Sequence, residues 1–206
     1  MRRLALLLAM ITGAHGAAAH PHIFVEAGIE IMMGESGPEA LRLTVTYDEF
    51  FSLLITGDLA LDGDADGELT ARELATLSQM VLGWPDGFEG DFYVSRDGNP
   101  VTIGQRRDHQ ARFENGHMIE SMVYALPDMA GAPLVLRVYD PFYYTAYTVK
   151  DVHFAGGTGC TAQIARADLI AATERVDELL YAMPQDQAEV EFPAVDVDFA
   201  DEITLT

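Results

Sequence analysis

His22-Ile23-Phe24-Val25-Glu26-Ala27-Gly28-Ile29-Glu30-Ile31 alternates in hydrophobicity from one end to the other. Ile23, Val25, Ala27, Ile29 and Ile31 fall on one face, and His22, Phe24, Glu26, Gly28 and Glu30 on the other. A period of two is that of a strand with one buried face. Leu41, Leu43, Val45 and Tyr47 repeat the pattern against Arg42, Thr44 and Thr46, with a turn at residues 34–37 between the two runs. The chain is therefore expected to open on a β-hairpin.

Working downstream, residues 48–57 read as a short helix. Residues 70–82 read as a longer one, with Leu74, Leu77, Met80 and Val81 on one stripe. Residues 92–94 and 101–103 flank Arg96-Asp97-Gly98-Asn99, a hairpin turn sequence. Strand-like runs follow at 118–126, 134–139, 144–149 and 152–154, and around Gln163-Ile164. Residues 167–183 are amphipathic, with Leu169, Val176, Leu179 and Leu180 on the side expected to be buried. The segment after Pro184 is acidic (Glu189, Glu191, Asp196, Asp198). It ends in Glu202-Ile203-Thr204-Leu205, either a returning strand or a frayed end. The expected fold class is α+β and β-rich. Antiparallel, sandwich-like sheets carry an EF-hand-like helix–loop–helix inserted early and one amphipathic helix late. A single domain is expected over 20–183, followed by the acidic segment 184–206.

Arg2-Arg3, the apolar run 4–11 and Ala17-Ala18-Ala19 make residues 1–19 a secretory signal peptide, cleaved after Ala19 on the general secretory route. The mature protein is expected in the periplasm. No later apolar stretch has membrane-spanning length. The 206 residues, 49% hydrophobic and 22% charged, suffice for one good core. A formal charge of −21 repels nucleic acid and anionic lipid, which excludes both as partners, and attracts cations broadly. Cys160 is the only cysteine, so no intramolecular disulfide forms.

The sharpest motif is Asp62-Gly63-Asp64-Ala65-Asp66-Gly67-Glu68-Leu69-Thr70-Ala71-Arg72-Glu73. A calcium loop of the EF-hand kind needs carboxylates at positions one, three and five, glycine at six and a carbonyl at seven. It closes with a bidentate glutamate at twelve. Asp62, Asp64, Asp66, Gly67, the Glu68 carbonyl and Glu73 fill those places, and Thr70 stands at position nine. Four carboxylates crowded into one turn repel one another until a divalent cation enters. The loop is single and not paired as in a sensor, so calcium is expected to act as a structural staple.

Cleavage after Ala19 leaves His20-Pro21-His22 as the mature N-terminus. An amine and two imidazoles suit Ni, Co, Zn or Cu. Pro21 has no amide hydrogen, which blocks a square-planar amide chelate. Strand alternation places Glu26 on the face of His22, as a further ligand or as a carboxylate that orients one. His109, His117 and His153 are scattered along the chain.

Together, His20-Pro21-His22-Ile23-Phe24, Tyr47-Asp48-Glu49-Phe50-Phe51-Ser52, the acidic loop and Val138-Tyr139-Asp140-Pro141-Phe142-Tyr143-Tyr144 form a pattern. Gly159-Cys160 and Phe199-Ala200-Asp201-Glu202-Ile203 complete it. It resembles the domain-of-unknown-function family numbered 1007, over nearly the whole mature chain. The resemblance implies a periplasmic component of an uncharacterised ABC-type transport system, encoded beside nickel/cobalt-type or other metal transporters. Some relatives carry a second cysteine near the C-terminus, where this chain has Thr204 and Thr206. The Tyr139-Asp140-Pro141 segment also reads plainly as a strand end and a turn whose aromatics cover a sheet face.

The expected function is a calcium-stabilised, non-catalytic accessory of a transition-metal transport system, binding metal at His20, His22 and Glu26 and meeting an inner-membrane transporter. Two alternatives stand beside it: an interaction or structural module of a membrane complex, and a histidine-brace copper enzyme. The chain holds no nucleophile elbow, His-Glu-x-x-His helix, phosphate loop or dinucleotide fingerprint.

Overall fold

A computed structural model describes residues 21–206 except 86–87, 89, 128–132, 158, 185–186, 188–192 and 196. The expected signal peptide at residues 1–19 and His20 lie outside the described residues, as do Glu189, Glu191 and Asp196. The elements in chain order are β1 Ile23–Gly34, β2 Gly37–Tyr47, α1 Glu49–Asp58, α2 Ala71–Val81, β3 Phe92–Arg96, β4 Asn99–Pro100 and β5 Arg107–Glu114. They continue with β6 His117–Ala125, β7 Leu134–Val138, β8 Thr145–Ala155, β9 Ala162–Ala165, α3 Leu169–Ala182 and β10 Glu202–Leu205.

The strands form two mostly antiparallel five-stranded sheets, ordered β5-β6-β2-β1-β8 and β4-β3-β7-β10-β9. The opening hairpin forms as its alternation requires, pairing Val25 with Tyr47 and Ile31 with Leu41. Val25, Ala27, Ile29 and Ile31 turn inward with Leu41, Leu43 and Val45. They meet Phe92, Val94, Leu134, Leu136, Val138, Ile203 and Leu205 of the second sheet in one core. The two sheets are thus the layers of a sandwich.

The sheets are antiparallel as expected except at one edge. β8 runs parallel to β1, pairing Ile23 with Thr145 and Ala27 with Val149. The chain enters β8 from the second sheet, so no tight turn sets its direction. The register then slips, with Gly28 opposite Asp151. Lys150 is the extra residue of a bulge, and the two runs expected at 144–149 and 152–154 are one bent strand. The hairpin arm expected at 101–103 shortens to Asn99–Pro100, followed by a Val101 N–H bond to the Val94 carbonyl at 2.8 Å. An unexpected strand, β5, pairs with β6 at the sheet edge and shows charged residues to solvent.

Of the two readings of residues 202–205, a returning strand or a frayed end, the structure shows the strand. These residues form β10, between β7 and β9, with Ile203 opposite both Leu136 and Ile164.

The helices start where the sequence supplies caps. Asp48 accepts the Phe51 N–H at 2.8 Å at the head of α1, and its other oxygen accepts Phe24 N–H at 2.9 Å, pinning α1 to β1. Ser52, fully buried, donates to the Asp48 carbonyl at 2.8 Å and accepts the Met118 N–H at 2.9 Å. Thr70 and Glu73 form a reciprocal capping box at the head of α2. Leu77 and Val81 of α2 join Met118, Phe51 and Ile55 in a second, smaller core. In α3, Ala172 and Val176 are buried, whereas Leu169 is 56% exposed. Leu169 is the first residue of the helix, a turn ahead of Ala172, where its burial begins. Among the described residues no helix is long and apolar enough to cross a membrane.

Candidate functional site

The loop joining α1 to α2 draws three carboxylates together. Oxygens of Asp62, Asp64 and Asp66 lie within 4.8 Å of one another, the one such His, Cys, Asp or Glu group among the described residues. The curl that brings them there is hydrogen-bonded. Asp62 accepts the N–H groups of Asp66 at 3.0 Å and Gly67 at 3.1 Å, and Asp66 accepts that of Glu68 at 2.9 Å. Gly67 has φ +80°, a left-handed conformation that glycine adopts without steric cost.

Glu73 closes the loop and stays outside the aspartate cluster. One of its oxygens accepts Asp62 N–H at 3.0 Å, and the other accepts the Thr70 N–H at 2.9 Å and hydroxyl at 2.7 Å. The Thr70 hydroxyl, then the backbone donors, hold the Glu73 carboxyl below its usual value. Glu68 and Thr70 lie on the same turn, so a carbonyl and a hydroxyl are at hand. An all-oxygen donor set around crowded carboxylates fits a hard divalent cation such as calcium.

The N-terminal residues are less gathered. The His22 ring lies 4.7 Å from that of Tyr144, and Glu26, on β1, pairs with Lys150 at 2.7 Å. The other histidines diverge. His153 is exposed beside Asp151 at 3.4 Å, His117 donates its Nδ1 hydrogen to the Tyr47 carbonyl at 2.8 Å, and His109 turns inward. Cys160 is half-buried, and burial pushes its thiol up, away from reactive thiolate.

The residues that sequence reasoning missed surround a pocket of about 340 Å³ at one end of the sandwich. The helix pair walls it through Phe51 and Ile55 of α1 and Met80 and Val81 of α2, so the acidic loop connects the two helices of that wall. Glu120 of β6 and Asp91, just before β3, both line it. Glu120, 2% exposed, accepts the Tyr47 hydroxyl at 2.8 Å and meets His109 Nε2 at 2.8 Å. Asp91 accepts the Tyr147 hydroxyl at 2.9 Å. Burial raises the Asp91 carboxyl to about 6, opposed by the Tyr147 bond and reinforced by the charge of Asp140. Burial, then the neighbouring carboxylates, push both phenols well above their ordinary value, so Tyr47 and Tyr147 remain donors. Gly90 has φ +93°, and a Cβ there would meet the Tyr124 hydroxyl at 2.9 Å and Trp84 at 3.0 Å; only glycine lets Trp84 lie against this wall.

A family model described as protein of unknown function (DUF1007) matches residues 5–206, nearly the whole chain. The chain belongs to the DUF1007 family. Several of the DUF1007-like residues noted above have clear structural duties in this chain. Asp48 and Ser52 anchor α1, while Asp140 accepts the N–H groups of Phe142, Tyr144 and Thr145 at 2.9, 3.1 and 3.1 Å. Tyr143, with φ +53°, stacks on Phe199 at 3.7 Å. The Tyr139-Asp140-Pro141 segment is therefore a turn held by its aspartate and covered by aromatics, its plain reading. No curated protein and no solved structure was found to match the chain.

Proposed function

We propose that this DUF1007 protein is an exported, non-catalytic accessory of a transition-metal transport system, with calcium at the 62–73 loop holding its helix pair. One observation carries the calcium half: three aspartates converge on a loop whose glycine, capping threonine and closing glutamate stand at the spacing calcium loops use. The transport half rests on the His20-Pro21-His22 terminus that signal cleavage would expose, and on the net negative charge that concentrates cations. Imidazole and amine nitrogens take Ni, Co, Zn or Cu, while the loop oxygens take calcium, so the two sites sort ions by softness.

Elemental analysis of protein purified from the periplasm tests this reading. Calcium and a transition metal are expected together. His20→Ala combined with His22→Ala removes the transition metal and leaves calcium in place. A double variant that holds the transition metal as the wild type does refutes the terminal site, and the interaction-module reading then takes first place.

A further inference from the structure

Both carboxylates of the end pocket lack a directly bound cationic side chain among the described residues. The tautomer of His109 decides this for Glu120. Arg106 Nε lies 3.3 Å from His109 Nδ1, and a guanidinium only donates, so Nδ1 is the acceptor. The ring hydrogen is then on Nε2, which donates to Glu120 at 2.8 Å. His109 is accordingly a neutral imidazole, fixed further by the Trp84 ring at 4.7 Å, with Arg106 stacked over Trp84 at 4.4 Å. Glu120 thus accepts from two side chains, the Tyr47 hydroxyl and the His109 ring. The Asp91 side chain has the Tyr147 hydroxyl and no Arg, Lys or His within ion-pair distance among the described residues.

A buried carboxylate with no directly bound cation is costly in a largely apolar pocket, and two cost more. Proteins retain such groups where a ligand supplies the missing charge. The donors do not suit a metal ion, because Asp91, His109 and Glu120 do not converge to coordination distance. The walls instead offer rings and thioethers, among them Trp84, Phe88, Met80 and Met118, which favour a cation with an organic body. About 340 Å³ stands near the lower limit for small-ligand pockets.

We propose that this pocket binds a small organic amine in its ammonium form, with Asp91 and Glu120 as its anionic partners and the aromatic wall around its hydrocarbon part. No residue of the 62–73 loop and no N-terminal histidine lines the pocket, so amine binding is read separately from both metal sites.

Trp84 is the chain's one tryptophan and lines the pocket, so its fluorescence reports occupancy. Benzylamine and butane-1,4-diamine are titrated into the calcium-saturated mature protein, with benzyl alcohol as the neutral control. At least one amine is expected to give a saturable change in emission and a rise in Tm, and the alcohol neither. Asp91→Asn and Glu120→Gln each weaken that binding by about tenfold or more. Glu174→Gln, on the exposed side of α3, leaves it unchanged and separates a site from attraction to the acidic protein at large. Circular dichroism melts confirm that each variant is folded. Absence of saturation with both amines, equal binding of benzyl alcohol, or undiminished binding in folded Asp91→Asn and Glu120→Gln overturns the proposal.

Discussion

Asp201→Ala is expected to lower the free energy of unfolding by about 2–4 kcal/mol, the scale for taking a buried carboxylate away from two backbone donors and a half-exposed guanidinium. Asp201 is 7% exposed and stands just before β10 of the second sheet. One oxygen accepts Val149 N–H at 3.0 Å and the Arg166 guanidinium at 2.7 Å, and the other accepts Ala167 N–H at 3.1 Å. Arg166 in turn donates to the Val149 carbonyl. Val149 lies at the bulge of β8, the outermost strand of its sheet, where its outward backbone groups have no neighbouring strand. Asp201 and Arg166 satisfy both of those groups, and so fasten the edge of one sheet to the other. Removing the carboxylate leaves the Val149 and Ala167 N–H groups without their acceptor and strips Arg166 of its ion-pair partner. Urea unfolding measures the loss, and at a few degrees per kcal/mol for a chain of this length Tm falls by about 10 °C. A loss under about 1 kcal/mol contradicts this role.

Asp91→Asn is expected to act in the opposite direction, stabilising the protein near neutral pH. The folded carboxyl titrates at about 6, whereas an unfolded aspartate titrates near ~3.9. Between those values the native state binds a proton that the unfolded state has released. Stability from this group is therefore full below about pH 4, falls as pH rises, and is lost above about pH 6. The two-unit gap corresponds to roughly 3 kcal/mol. Asparagine stays neutral at every pH and can still accept the Tyr147 hydroxyl. The variant should match the wild type near pH 4 and exceed it by roughly 2–3 kcal/mol at pH 8, as read from paired denaturant curves. A difference that does not change with pH sinks this prediction. A residue whose removal stabilises the fold is one retained for something other than folding.

How much of this was legible depends on whether the signal was local. The alternation at residues 22–31 specifies a strand and its buried face by itself. Asp48 and Thr70 announce helix starts because a cap bonds to a residue only three positions away. β5 escaped notice because its inward row is His109, Ala111 and Phe113, too weak in hydrophobicity to stand out from its charged neighbours. The parallel pairing of β8 with β1 depends on how the chain returns from the other sheet, which no short segment encodes. The three aspartates of the loop were readable because they belong to one turn.

The pocket was not readable, because Tyr47, Asp91, His109, Glu120 and Tyr147 come from five separate stretches of chain. One local trace existed. β6 carries Met118, Glu120, Met122 and Tyr124 on alternate positions, and Val45 opposite Glu120 faces the core. A carboxylate in an otherwise apolar inward row is the sequence mark of a group placed against its own solvation preference.

The most direct test of the account is calorimetric titration of calcium into chelator-treated protein, wild type against Asp64→Asn. Asp64 is exposed, and its carboxylate makes none of the bonds that shape the loop, so this substitution removes an ion ligand and leaves the architecture intact. One calcium per chain is expected for the wild type, with Kd in or below the ~10⁻⁴–10⁻³ M range of extracellular modules. At a hundredfold excess over Kd the bound ion adds about 2.7 kcal/mol of stability. In Asp64→Asn both the binding heat and the stabilisation should be strongly reduced. No calcium heat in the wild type, with melting curves that coincide in calcium and in chelator, would contradict the calcium staple at the centre of the account.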